Sequence, residues 1–138
     1  MKLAYIAPYT AIPSRLASSL HIMKMCDAYS KIPDVDVSLF ASRGIDYNNL
    51  NDTFKLYSVS NMFKIYFFKY INSGFFRLFY FFIYFPFLAK IKKITVVHTR
   101  NLSIAFGTSV LFKIPTILEL HDSPGTNSKI SLIYKICV

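Results

Sequence analysis

Residues 116–124 read TILELHDSP. Three residues rich in β-branched and aliphatic character run into Glu119, and after Leu120 the polar group His121-Asp122-Ser123 is closed by Pro124. A short apolar run bounded by turn formers suits a strand buried on both faces of a parallel sheet. In open α/β sheets ligands sit beyond the carboxyl ends of the strands, where His121 and Asp122 would stand.

Working outward, the same pattern recurs. Residues 3–7, LAYIA, form an apolar run closed by Pro8. Ser14 is a suitable N-cap, and Leu16, Leu20, Met23 and Cys26 follow at helical spacing until the Lys31-Ile32-Pro33-Asp34 break. Residues 35–40, VDVSLF, read as a second strand and residues 54–59, FKLYSV, as a third. Residues 94–98, ITVVH, are β-branched and strand-like, and residues 103–113 suit a short helix stopped by Pro115. Strands alternating with helices predict an α/β fold, Rossmann-like, with a mainly parallel sheet and flanking helices. The ligand crevice is expected at loops 8–15, 98–101 and 121–126.

The chain has 138 residues, 54% of them hydrophobic, which is enough for a core and excludes general disorder. Its net charge is +9, unevenly placed. The first 60 residues are nearly balanced, whereas residues 61–138 hold ten basic side chains against Glu119 and Asp122 alone. Such asymmetry points to an anionic partner. Nucleic acid is disfavoured, because the aromatics cluster with Leu and Ile and do not alternate with basic residues. No Walker-type phosphate loop occurs. Cys26 and Cys137 have neither metal nor redox spacing and read as reduced thiols of a cytosolic protein. Pro8 and Pro13 interrupt the apolar start, which argues for a strand and loop over a signal peptide.

Residues 62–93, MFKIYFFKYINSGFFRLFYFFIYFPFLAKIKK, form a basic aromatic block. Its longest uncharged run covers 12 residues and contains Pro86, too short to span a bilayer. Asn72-Ser73-Gly74 can divide the block into two helices. One reading is a surface on anionic lipid, with Lys69, Arg77, Lys90, Lys92 and Lys93 as membrane contacts. The other is a crossover helix packed on the sheet.

Three stretches together resemble the N-terminal domain of family 4 glycosyltransferases, retaining enzymes with two facing Rossmann-like domains in the GT-B arrangement. They are residues 2–32, KLAYIAPYTAIPSRLASSLHIMKMCDAYSKI, followed by VDVSLF; residues 94–107, ITVVHTRNLSIAFG; and residues 114–124, IPTILELHDSP. The resemblance implies a partial GT-B N-terminal, acceptor-side domain over residues 1–138, with the donor-binding C-terminal domain absent. The run ISLIYKICV ends at Val138 without a helix stop, so the domain is expected to be incomplete and inactive by itself. By resemblance His121 is the catalytic cleft histidine facing the donor sugar; Asp122 would orient that imidazole or cap the following helix, and the bland alternative for His121 is a helix-capping or structural histidine. Arg100 is the candidate for an anionic acceptor group, and His98 a candidate of lesser weight. Ser14, Arg15 and His21 fall on the acceptor side. The first loop lacks the glycines common in the family, so side chains would have to replace backbone contacts. The donor implied is a nucleotide sugar held by the missing domain, the acceptor a glycan or lipid-linked molecule, and no metal or other cofactor is expected. The location expected is the cytoplasm, peripheral on the inner face of the plasma membrane. The alternative function is a non-catalytic peripheral membrane-binding module using residues 62–93.

Overall fold

The computed structural model describes residues 1–45, 49–68 and 74–120. The protein is α/β, Rossmann-like, with parallel strands and flanking helices. The chain divides into two compact units, Met1–Tyr70 and Ile71–Val138.

The first unit runs β1 (Lys2–Ile12), α1 (Ala17–Ser30), β2 (Asp36–Arg43), α2 (Leu50–Leu56) and β3 (Lys64–Phe68). Its strands lie in the order β3-β2-β1 and pair in parallel. This is a Rossmann-like βαβαβ arrangement. Residues 37–42 of β2 are all buried, as are residues 3–7 of β1, so both faces of these strands are covered. Helix α1 closes one of them with Ile22, Met23 and Cys26, each fully buried. Burial pushes the Cys26 thiol far up from its ordinary pKa, which keeps it protonated and inert.

Several expectations need correction here. Strand β1 does not stop at Pro8. Its register with β2 shifts between Ala7 and Ala11 and then resumes as Ala11↔Ser42 and Ile12↔Arg43. Pro8, which has no N–H to give, lies in that irregularity, where a sheet tolerates it. Ser14 is not the N-cap of α1. Leu16 occupies that position without a side-chain cap, and the Ser14 hydroxyl is engaged with Ser19 Oγ at 2.5 Å. Residues 54–59 are not a strand. Asn49 Oδ1 accepts from Asp52 N at 2.8 Å and starts α2, which buries Thr53, Phe54 and Tyr57 on one face. The helix ends in a Schellman turn, with Ser58 N donating to Lys55 O and Val59 N to Phe54 O. Residues 64–68, expected within a helical block, are instead β3, and Phe40 of β2 stacks on its register partner Tyr66 with ring centroids 5.0 Å apart.

The second unit holds one continuous helical stretch: α3 (Gly74–Phe79), a π-helical turn (Tyr80–Tyr84) and α4 (Phe85–Ile91). Pro86 does not break it. A proline inside a helix lacks its own N–H and its ring crowds the carbonyl four residues back, here that of Phe82. The wider turn, closed by Phe85 N bonding to Tyr80 O, relieves that crowding. Then come β4 (Val96–Thr99), α5 (Leu102–Phe106) with a second π turn (Gly107–Leu111), and β5 (Thr116–Leu118). Strands β4 and β5 pair in parallel through Val97↔Thr116, His98↔Ile117 and Thr99↔Leu118. The two π turns meet at Gly107: a Cβ there would lie 2.5 Å from the Phe82 carbonyl oxygen and 2.8 Å from Pro86 Cγ. Only glycine allows that approach.

Candidate functional site

The polar residues that the topology gathers in the second unit lie at the carboxyl ends of β4 and β5. His98 is the third residue of β4 and 3% exposed. Thr99 ends the strand, and Arg100 and Asn101 form the turn into α5. The turn is fixed locally. Asn101 N donates to Thr99 Oγ1 at 3.1 Å, and Asn101 Oδ1 accepts from Ile104 N at 3.0 Å as the N-cap. On the neighbouring strand, Glu119 N donates to Thr99 O at 3.0 Å, which continues the ladder one residue past β5.

That register sets Glu119 between two bases. Its Oε2 is 3.5 Å from His98 Nε2 and its Oε1 is 3.6 Å from Arg100 Nε. These separations are longer than short hydrogen bonds. The carboxylate and guanidinium are a fifth to a quarter exposed, so the corner opens to solvent while the imidazole beneath it does not. Chemically the corner offers a carboxylate that can accept from a hydroxyl, a guanidinium that can grip a phosphate or second carboxylate, and a buried imidazole beside the carboxylate. The sequence points to Arg100 and, with lesser weight, to His98, but not to Glu119 as a site residue. It gave no sign that one carboxylate joins them, because that depends on the β4–β5 register. Asn101 as a cap was also missed, although Asn before an apolar run is a recognisable helix start.

In the first unit, the loop 8–15 is closed rather than open. Tyr57 Oη accepts from Ser14 N at 2.6 Å and donates to Ser14 O at 2.7 Å, so both backbone groups of Ser14 are occupied from within the protein. Ser19 Oγ donates to Ala11 O at 3.1 Å. Gly44 N donates to Ile12 O at 2.9 Å, and the Gly44 Cα packs so close to the Pro13 carbonyl that any side chain would collide. Ser14 thus has its backbone N–H, its carbonyl and its hydroxyl engaged within the first unit. Arg15 and His21 are exposed, the former before α1 and the latter on it.

His121, Asp122 and Lys69 lie outside the described residues. Of the remaining expected membrane contacts, Lys90 and Lys93 are exposed and Arg77 and Lys92 half-buried. Among the described residues, no group of three or more His, Cys, Asp or Glu side chains could hold a metal ion. No helix among them is long and apolar enough to cross a membrane. No family model, curated protein or solved structure matches the chain.

Proposed function

We propose that this chain supplies the acceptor-side, Rossmann-like lobe of a retaining glycosyltransferase, which transfers sugar from a nucleotide sugar held by a donor-binding lobe to a lipid-linked or glycan acceptor. The observation that supports this best is Glu119 set between His98 and Arg100 at the carboxyl ends of two parallel strands. That edge of an α/β sheet is where ligands are bound. Arg100 is suited to an acceptor phosphate and Glu119 to an acceptor hydroxyl, with His98 beside the carboxylate. His121, Asp122, Arg15 and His21 keep their expected places in this reading, and the chain would work in the cytoplasm at the inner face of the plasma membrane. The test is sugar transfer by a polypeptide that joins this chain to a donor-binding lobe. Arg100→Ala should lower transfer to a phosphate-bearing acceptor by about 10- to 100-fold, as expected for a lost charge-assisted contact. Transfer at the unaltered rate, from a variant with the same circular dichroism, would remove Arg100 from the site.

A second reading, a non-catalytic membrane-binding module, is favoured by one observation: the helix at 74–91 turns an apolar face outward.

A further inference from the structure

The helical stretch formed by α3, its π turn and α4 has two unlike faces. The inner one is buried through Phe81, Phe85, Pro86 and Ala89, and Phe82 meets Phe106 edge-on with centroids 5.9 Å apart. The outer face would be polar in an ordinary surface helix. Here it carries Phe76, 61% exposed, Phe79 at 52%, Ile83 at 40%, Phe87 at 52% and Ile91 at 61%. Scattered exposed apolar residues need no explanation, but a row at regular spacing does.

The π turn draws the row together. Steps of four residues drift by about 40° each at 3.6 residues per turn, so 79, 83, 87 and 91 would wind away from one another on an uninterrupted α-helix. A turn closed by a bond to the fifth residue back takes up an extra residue and cancels part of that drift. The Tyr80–Tyr84 turn lies between Phe79 and Phe87. It thus lines up the outer apolar residues with the same stroke that accommodates Pro86.

Charge identifies what covers this face. No acidic residue occurs between Asp52 and Glu119, while Arg77, Lys90, Lys92 and Lys93 stand on the helix or at its end. The end itself is shaped by a Schellman turn, with Lys93 N donating to Lys90 O and Ile94 N to Ala89 O, each at 3.0 Å. Lys93 takes φ 55° there, which swings the chain away just after the lysines. A helix with an aromatic outer stripe, basic residues beside it and no carboxylate fits the boundary between acyl chains and anionic headgroups. We infer that residues 74–93 form an in-plane docking helix for an anionic lipid bilayer, with Phe76, Phe79, Ile83, Phe87 and Ile91 inserted and Lys90, Lys92 and Lys93 at the headgroups. This deepens the second reading and is independent of any sugar transfer.

Co-sedimentation of the full chain with vesicles tests it. The protein should pellet with vesicles of equal parts phosphatidylglycerol and phosphatidylcholine, and at least about tenfold less with phosphatidylcholine alone. The variant Phe79→Ser/Ile83→Ser, at two exposed positions, should bind the anionic vesicles about tenfold more weakly or worse with unchanged circular dichroism. Lys90→Gln/Lys92→Gln/Lys93→Gln should abolish the preference for phosphatidylglycerol. The chain contains no tryptophan, so Phe79→Trp provides a single reporter whose emission should shift to the blue on adding anionic vesicles. Three results would overturn the inference: wild-type protein left in the supernatant, an emission spectrum of the Phe79→Trp variant indifferent to lipid, or lipid-free dimers that Phe79→Ser/Ile83→Ser dissolves. The last would assign the face to a second copy of the chain. None of these measurements involves a nucleotide sugar, so their failure leaves the transfer proposal to its own assay.

Discussion

Replacing Asp27 by Asn tests how the first unit is fastened. Asp27 lies on the buried face of α1 and is 7% exposed. Its Oδ1 accepts from Ser60 N at 2.8 Å and from Ser60 Oγ at 2.5 Å, and its Oδ2 accepts from Lys31 Nζ at 2.7 Å. The carboxylate thus ties α1 to the segment that leads into β3. Burial by itself would raise the carboxyl pKa; the bonds from Lys31 and Ser60, with the Lys31 charge, outweigh it and hold the group at about 2 against an ordinary 3.8. At 1.36 kcal/mol per pKa unit that difference corresponds to roughly 2 kcal/mol of folding stability. Lys31 is 61% exposed, so solvent screens its share and the figure is an upper value.

The sign follows from the folded group having the lower pKa. The unfolded chain takes up the proton first, so the contribution is complete above about pH 5 and disappears as the pH falls through 3.8 toward about 2. Urea unfolding followed by circular dichroism, for wild type and Asp27→Asn, should show a gap of roughly 2 kcal/mol near neutral pH that closes toward about pH 2. A gap of constant width over that range would refute the electrostatic account and assign the loss to packing. A gap of only a few tenths of a kcal/mol near neutrality would mean that the carboxylate charge and its bond from Lys31 contribute nothing net.

Two further outcomes follow from backbone geometry. Gly107→Ala places a methyl group 2.5 Å from the Phe82 carbonyl and should cost about 1–3 kcal/mol by forcing the two π turns apart, read as a lower melting temperature. Lys93→Gly removes a non-glycine residue from φ 55° at the end of α4 and should stabilise the protein by about 1 kcal/mol in the same assay, with no change in helix content.

The pattern of the chain carried the fold class because both-face burial leaves a mark. Strand β1 stands out as a short continuous apolar run, β2 as an alternating one with an apolar end and β4 as a β-branched one, and the spacing of Ile22, Met23 and Cys26 on α1 is that of one buried helix face. Residues 54–59 mislead for the opposite reason. FKLYSV alternates like a strand, yet the deciding signal lies upstream in the Asn49 cap and Asp52. Short apolar runs do not distinguish helix from strand by period alone. The aromatic block hid a similar choice, with KIYFF going to β3 and residues 74–91 to a helix that keeps its proline.

Of the candidate site, the sequence supplied the residue types and their place after strands, since His98, Arg100 and Glu119 all sit at strand ends. Their convergence on one carboxylate was set by a parallel register that fixes which residues stand opposite, and spacing along the chain does not contain it. Ser14 shows the same limit: its backbone is claimed by Tyr57, 43 residues away, through two hydrogen bonds that only the packed unit brings about. Local physics therefore determined which segments are buried, basic or capped, because burial, charge and turn chemistry act on neighbours in the chain. Tertiary structure decided which polar groups meet and which apolar face of residues 74–91 is left outward, because those depend on contacts between residues that the sequence keeps far apart.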